Sequence, residues 1–150
     1  MEERRPRMIG VVLFTHGSVA SALQETAETI LGPVDGVAAV DLPPDASREA
    51  AWRALDDAVQ AVDASGGVLL LVDMFGGTPS NLALARLAGQ DAEVLTGVNL
   101  AMVLRAIRKR ESLALRPLAQ DVLSYGRRNV TASTGLRRTH PPAIPPGESS

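Results

Sequence analysis

Two stretches of the chain are almost unbroken apolar runs rich in branched residues: MIGVVLFT at Met8–Thr15 and GGVLLLVD at Gly66–Asp73. Such runs, bounded by turn formers, predict strands covered on both faces. VAAVDL at Val37–Leu42 and AEVLT at Ala92–Thr96 are shorter candidates, so four strands are expected. Between them the spacing of apolar positions changes to that of helices. Val19, Leu23, Ala27, Ile30 and Leu31 recur at intervals that predict a first helix, which Gly32-Pro33 stops. Ser47 is placed to cap a second, whose stripe of Ala51, Leu55, Ala58, Val59 and Val62 leaves Arg48, Glu49, Arg53 and Asp57 to face elsewhere. Thr78-Pro79 predicts a third, with Thr as N-cap, Pro at the first helical position and Gly89 as the stop. A fourth is expected from near Asn99, carrying Leu100, Val103, Leu104 and Ile107 inward. Its Arg105, Arg108, Lys109 and Arg110 are expected to be solvated or near its negative end.

The alternation of strand and helix implies parallel strands joined by right-handed crossovers, hence an α/β fold with a doubly wound, mainly parallel open sheet of four strands. Ligands of such a sheet sit at the carboxyl ends of the strands. A last helix is expected over Pro117–Tyr125 with Gly126 as its C-cap, followed by one short strand over Arg128–Ser133. The folded unit is thus expected over 8–134. A charged, flexible stretch precedes it at 1–7, and a disordered Pro-rich tail follows at 135–150, ending in THPPAIPPGESS.

Composition narrows the chemistry. The 150 residues suit one domain, and at 45% hydrophobic but 3% aromatic the core has to be made of Ala, Val and Leu. Fifteen basic against 17 acidic residues leave a formal charge of −2, which gives no broad attraction for nucleic acid or an anionic membrane. Any anion site has to be local. Without cysteine there is no disulfide, no thiolate nucleophile and no cysteine metal site. The run Met8–Phe14 is too short to span a bilayer and lacks a signal-peptide cleavage pattern, so no membrane insertion and a cytoplasmic location are expected.

Three polar clusters fall at the carboxyl ends of predicted strands: Thr15-His16-Gly17, the stretch from Asp73 to Asn81, and Gly97-Val98-Asn99. Core packing does not ask for these residue types there, so their convergence marks a candidate site. His16 is a nucleophile suited to neutral pH, and Asp73 is placed to accept from one ring nitrogen and leave the other nitrogen's lone pair free. A strand-end histidine can equally be structural. Gly76-Gly77-Thr78-Pro79-Ser80 reads as a backbone nest at a helix start, where the amide of Gly77 and the hydroxyls of Thr78 and Ser80 could hold an anion. It also reads as an ordinary tight turn. Asn99 is either a donor to the same site or simply the next helix's N-cap. The glycine turn lacks the order and the lysine of a Walker A loop, and no G-x-G-x-x-G follows the first strand, which disfavours nucleotides. With His140 in the tail, His16 is the only imidazole of the core, and neither a metal nor another cofactor is expected.

MIGVVLFTHG (8–17), ETAETILG (25–32), GGVLLLVDMFGGTPSN (66–81) and TGVNLAMVL (96–104), taken in this order and spacing, resemble the enzyme IIA domains of the mannose class in the bacterial sugar phosphotransferase system. The resemblance covers roughly Met8 to Ser133. It implies a phosphotransferase component that accepts a phosphoryl group on Nε2 of His16 from the histidine-containing phosphocarrier protein. The group would pass to a IIB-type partner or serve as a regulatory signal. It also implies that Asp73 orients His16, that Thr78 and nearby backbone amides hold the phosphoryl oxygens, and that Arg128–Ser133 is exchanged between the subunits of a homodimer. Ala101 stands where family members commonly carry proline. The reading from another class is a non-catalytic regulatory module that binds a small anion at the glycine turn; a hydrolase is disfavoured because no nucleophile elbow is present.

Overall fold

The computed structural model describes residues 7–62, 65–74 and 76–139. All but Arg7 of the charged N-terminal stretch, and residues 140–150 of the expected tail, lie outside the described residues. Four strands, β1 (Gly10–His16), β2 (Val37–Leu42), β3 (Val68–Val72) and β4 (Ala92–Leu95), form one sheet in the order β2-β1-β3-β4. Every pairing is parallel. The helices are α1 (Val19–Leu31), α2 (Arg48–Ala61), α3 (Thr78–Leu87), α4 (Leu100–Lys109), α5 (Leu115–Arg128) and α6 (Ser133–Thr139). Among the described residues no helix is long and apolar enough to cross a membrane.

The central strands carry the two apolar runs, and Val11 to Phe14 and Leu69 to Val72 are fully buried. Because side chains alternate along a strand, they supply two cores. Val11, Leu13, Leu69 and Leu71 pack with Ala20, Ala27, Val103, Leu118 and Val122 of α1, α4 and α5. Val12, Phe14, Leu70 and Val72 pack with Leu55, Val59, Leu82 and Ala83 of α2 and α3. The chain leaves β1 for β2 on one side and returns to β3 on the other, so the switch point of the sheet lies between the ends of β1 and β3. A crevice for ligands forms there in open α/β sheets.

Four local expectations change. The buried side of α1 centres on Ala20 and Ala27, with Val19 and Ile30 exposed, because the small residues bring the helix close to the sheet. Arg110 is not solvated. It is 5% exposed, and its guanidinium donates to the Gly36 carbonyl at 3.1 Å and to that of Asp35, closing the loop before β2. Burial lowers its pKa, the nearby Glu111 and Asp35 opposing. Gly126 is not a C-cap but an interior residue of α5, where a Cβ would lie 2.5 Å from Met102 Cγ; glycine is what lets α5 approach α4. The helix ends instead at Asn129, whose side-chain amide donates to the Tyr125 carbonyl at 2.8 Å.

The fourth change concerns the chain end. Arg128 completes α5, and Ser133 opens α6, which runs through Thr139 where the tail was expected. No strand therefore forms over Arg128–Ser133 in the single chain. A strand needs a neighbour to pair with, and an exchanged one needs a second copy.

Candidate functional site

β1 delivers His16 to the switch point, and Asp73 follows directly on β3. The backbone N–H of His16 donates to Asp73 Oδ2 at 3.0 Å, and the ring Nδ1 lies 2.8 Å from the same oxygen. An ionised carboxylate only accepts, so Nδ1 carries the ring hydrogen and Nε2 presents its lone pair. Met74 N–H donates to the other carboxylate oxygen at 3.0 Å. Burial pushes the Asp73 carboxyl up, but the hydrogen bonds from His16, attraction to its ring and the Met74 amide outweigh this and hold it below its ordinary value. The His16 side chain is 48% exposed against 19% for Asp73: the acceptor is tucked in and the imidazole is open to the surface.

The glycine turn closes on the other edge of the ring. Gly76 takes a left-handed φ of +84°, and Gly77, extended at φ −79°, is the N-cap of α3. A Cβ on Gly77 would lie 2.8 Å from His16 Cε1 and 3.3 Å from Nε2. The backbone at the start of α3 thus stands against the free nitrogen, with room for no side chain between. Thr78 is the first helical residue rather than the cap, so its exposed side chain is not spent on capping.

Two expected ligand residues do other work. Ser80 is fully buried, and its hydroxyl accepts from Gly76 N–H at 3.0 Å and donates to the Gly77 carbonyl at 3.3 Å. It braces the turn from inside instead of offering its hydroxyl to a ligand. Asn99 caps α4, accepting from Met102 N–H at 3.0 Å, while its amide points to the Gly126 carbonyl at 3.5 Å. Its side chain serves the junction of α4 and α5.

Of two further residues at the mouth, Thr15 was named in the first polar cluster without a role and Asp41 escaped the sequence reading. Thr15, fully buried, accepts from Ala20 N–H at 2.7 Å. Asp41, near the end of β2, accepts from Ser21 N–H at 3.0 Å and from the Ser21 hydroxyl. Two first-turn amides of α1 are thereby taken, whereas α3 begins against Nε2 with no side-chain cap at Gly77. A threonine and an aspartate at the ends of otherwise apolar strands were the available signals. Among the described residues, no three His, Cys, Asp or Glu gather to hold a metal.

A hydrogen-bonded, tautomerically fixed, surface-open imidazole beside a helix N-terminus can accept an electrophilic anion such as a phosphoryl group. Comparison with known proteins places the chain in a family. A family model described as the PTS system fructose IIA component matches residues 10–123. The mannose-specific EIIAB component of Escherichia coli K12 is 34% identical over 104 residues, which are 69% of this chain and 32% of that protein. The chain therefore spans about a third of that relative. The fructose-specific EIIA component of Bacillus subtilis is 33% identical over 116 residues, covering 77% of this chain and 80% of that one. In fold, the chain is similar to the phosphotransferase system component EIIA from Streptococcus agalactiae, with a TM-score of 0.78, 23% identity, and coverage of 85% of this chain and 99% of that one. The chain belongs to the fructose and mannose class of IIA components of the phosphotransferase system.

Proposed function

We propose that His16 is the phosphoryl carrier of this IIA component, loaded by a histidine-containing phosphocarrier protein and discharged to a IIB-type partner or read by a regulator. The observation that carries the reading is the Asp73 Oδ2 to Nδ1 contact of 2.8 Å, which leaves Nε2 as the nucleophile beside the glycine turn. In the loading step the Nε2 lone pair attacks phosphorus while the P–N bond to the donor's histidine breaks, its electron pair returning to the donor ring. Nδ1 keeps its hydrogen, and the positive charge gained by the ring is met by the Asp73 carboxylate. The amides of Gly77 and Thr78, with the Thr78 hydroxyl, would hold the phosphoryl oxygens at the positive end of α3. An imidazole nearly half exposed suits a hand-over between proteins, which a closed pocket would block. Phosphocarrier protein and its donor are cytoplasmic partners, and the chain is proposed to work beside them.

The test is to incubate the protein with phosphorylated phosphocarrier protein and map the label under non-acidic conditions. Stable label on the peptide containing His16 supports the carrier. An active donor that never labels the protein favours the module that only binds an anion at the glycine turn.

Gly77→Ala should separate ring position from fold. Alanine is compatible with the Gly77 backbone, but its Cβ overlaps His16 Cε1 and forces the ring off Asp73. Loading is expected to slow by about a hundredfold, the scale of a misplacement of about 1 Å, with little change in melting temperature. Loading at the wild-type rate would show that the turn does not set the ring.

A homodimer is proposed as well. β4 is an edge of the sheet, and Val130, in the segment after α5, is 75% exposed. A short unpaired edge and an exposed apolar segment are what strand exchange would bury. Light scattering should give twice the chain mass, and a chain ended after Arg128 should associate more weakly. A concentration-independent monomer would refute it.

A further inference from the structure

We propose that Thr15 is a positioning residue for His16: its buried hydroxyl fixes the backbone from which the imidazole reaches Asp73. The proposal rests on the reading of His16 as the phosphoryl acceptor. Among the described residues the buried polar side chains are Thr15, Ser80 and Arg110. Arg110 closes the opposite end of the sheet, and Ser80 braces the glycine turn. Thr15 serves the remaining loop, the one that carries His16.

A single hydroxyl does two jobs there. Thr15 Oγ1 accepts from the Ala20 amide at 2.7 Å and donates to the carbonyl of His16 itself at 3.1 Å. The strand end, the His16 peptide and the first turn of α1 are thus tied at one buried point. The next amide, Gly17 N–H, donates to the Leu42 carbonyl at 2.9 Å, and the His16 N–H is held by Asp73 at 3.0 Å. His16 is therefore held on both sides of its Cα, which leaves only the two side-chain torsions to place the ring. The ring in turn has little latitude, because Asp73 holds one edge and the Gly77 backbone crowds the other. Slack in the loop would lose both contacts. A residue needed only for the strand would not need the hydroxyl, since valine has the same shape and an equal liking for a buried strand.

Thr15→Val and Thr15→Ser divide the functions: valine keeps the shape and removes the hydroxyl, and serine does the reverse. The probe is potassium phosphoramidate, a small donor that needs no docking surface. Nε2 attacks phosphorus of the donor in its N-protonated form, the P–N bond breaks, and ammonia leaves with the electron pair while Nδ1 keeps its hydrogen. Thr15→Val is expected to load about ten- to a hundredfold more slowly. The ¹⁵N signals of its imidazole should move from the form with hydrogen on Nδ1 toward a mixture of tautomers. Thr15→Ser should stay within about twofold of wild type in rate and keep the wild-type ring spectrum, as expected if the hydroxyl is what matters. If Thr15→Val melts lower but loads at the wild-type rate with an unchanged ring spectrum, the hydroxyl is only a helix cap and the proposal is overturned. Failure of serine to rescue overturns it too. Should wild type accept no phosphoryl group from either phosphoramidate or the phosphocarrier protein, the carrier reading falls, and the ring spectra alone decide whether Thr15 positions the imidazole. Should Thr15→Val fail to fold, Thr15→Cys, with its weakly bonding thiol, is read against Thr15→Ser in the same way.

Discussion

His16→Ala should fold normally and carry no phosphoryl group. The ring is nearly half exposed at a strand end, and the backbone amide keeps its bond to Asp73 after truncation. The structural loss is one partly exposed hydrogen bond, about 1 kcal/mol. The chemical loss is expected to be complete, because among the described residues His16 is the only imidazole at the mouth, and the Thr15 and Ser80 hydroxyls are buried and bonded. The comparison is made with His140→Ala, which should load like wild type. Phosphohistidine is lost in acid and survives base, so the label identifies its own chemistry. Label persisting on a folded His16→Ala protein would move the carrier elsewhere in the chain.

The parts of the fold that were legible in sequence are those where burial dictates residue type. β1 and β3 are covered on both faces, which leaves no place for polar residues and makes their runs unmistakable. His16 and Asp73 were legible for the converse reason, as polar residues where a packed sheet needs none. What the sequence left open was the assignment of polar groups to ligand or backbone. A serine hydroxyl that braces a turn and one that binds phosphate look alike in sequence, and only the burial of Ser80 and its two backbone partners distinguish them. Asn99 sits at a helix start in either role, and its bond to Met102 N–H shows the capping one. Arg110 was misplaced because carbonyls that precede β2, far away in sequence, bond it. Gly126 was read as punctuation when its meaning was contact, since a glycine that ends a helix and one that admits Met102 from a neighbouring helix are the same letter. The start of α1 is capped from β1 and β2, by Thr15 and Asp41, so local spacing could not show it.

Asp73→Asn is the sharpest test of the mechanism, because it changes a charge and a hydrogen-bond direction at constant size. The Asp73 carboxylate accepts from the His16 amide and from Nδ1 through one oxygen. An asparagine cannot accept from all three donors: with its oxygen in the Oδ2 place the NH₂ meets the Met74 N–H, and with its oxygen kept on Met74 the NH₂ faces the His16 amide and the ring. In the second arrangement Nδ1 has to accept, the hydrogen moves to Nε2 and the attacking lone pair is gone; in the first, Nδ1 keeps only a neutral acceptor. The imidazolium-like ring of the phosphorylated state also loses its counter-charge. Loading should fall on the order of 10²–10⁴-fold, the range seen when the orienting carboxylate of a catalytic histidine is made an amide or a general base is lost. The pH dependence has a fixed sign. The Asp73 pKa is lowered in the folded protein, with burial opposed by the larger combined effect of the His16 and Met74 bonds and His16's charge. Its contribution to stability is therefore present above the unfolded value, near about 4, and is lost as pH falls through the lower folded value. Melting temperatures of wild type and Asp73→Asn measured from neutral pH into that acid window should converge as the carboxyl of the wild type protonates. A gap that stays constant would mean that Asp73 is not held ionised by His16. Wild-type loading by a folded Asp73→Asn protein would remove the carboxylate from the mechanism, leaving the tautomer of His16 to be set by something other than the shortest contact its ring makes with a side chain.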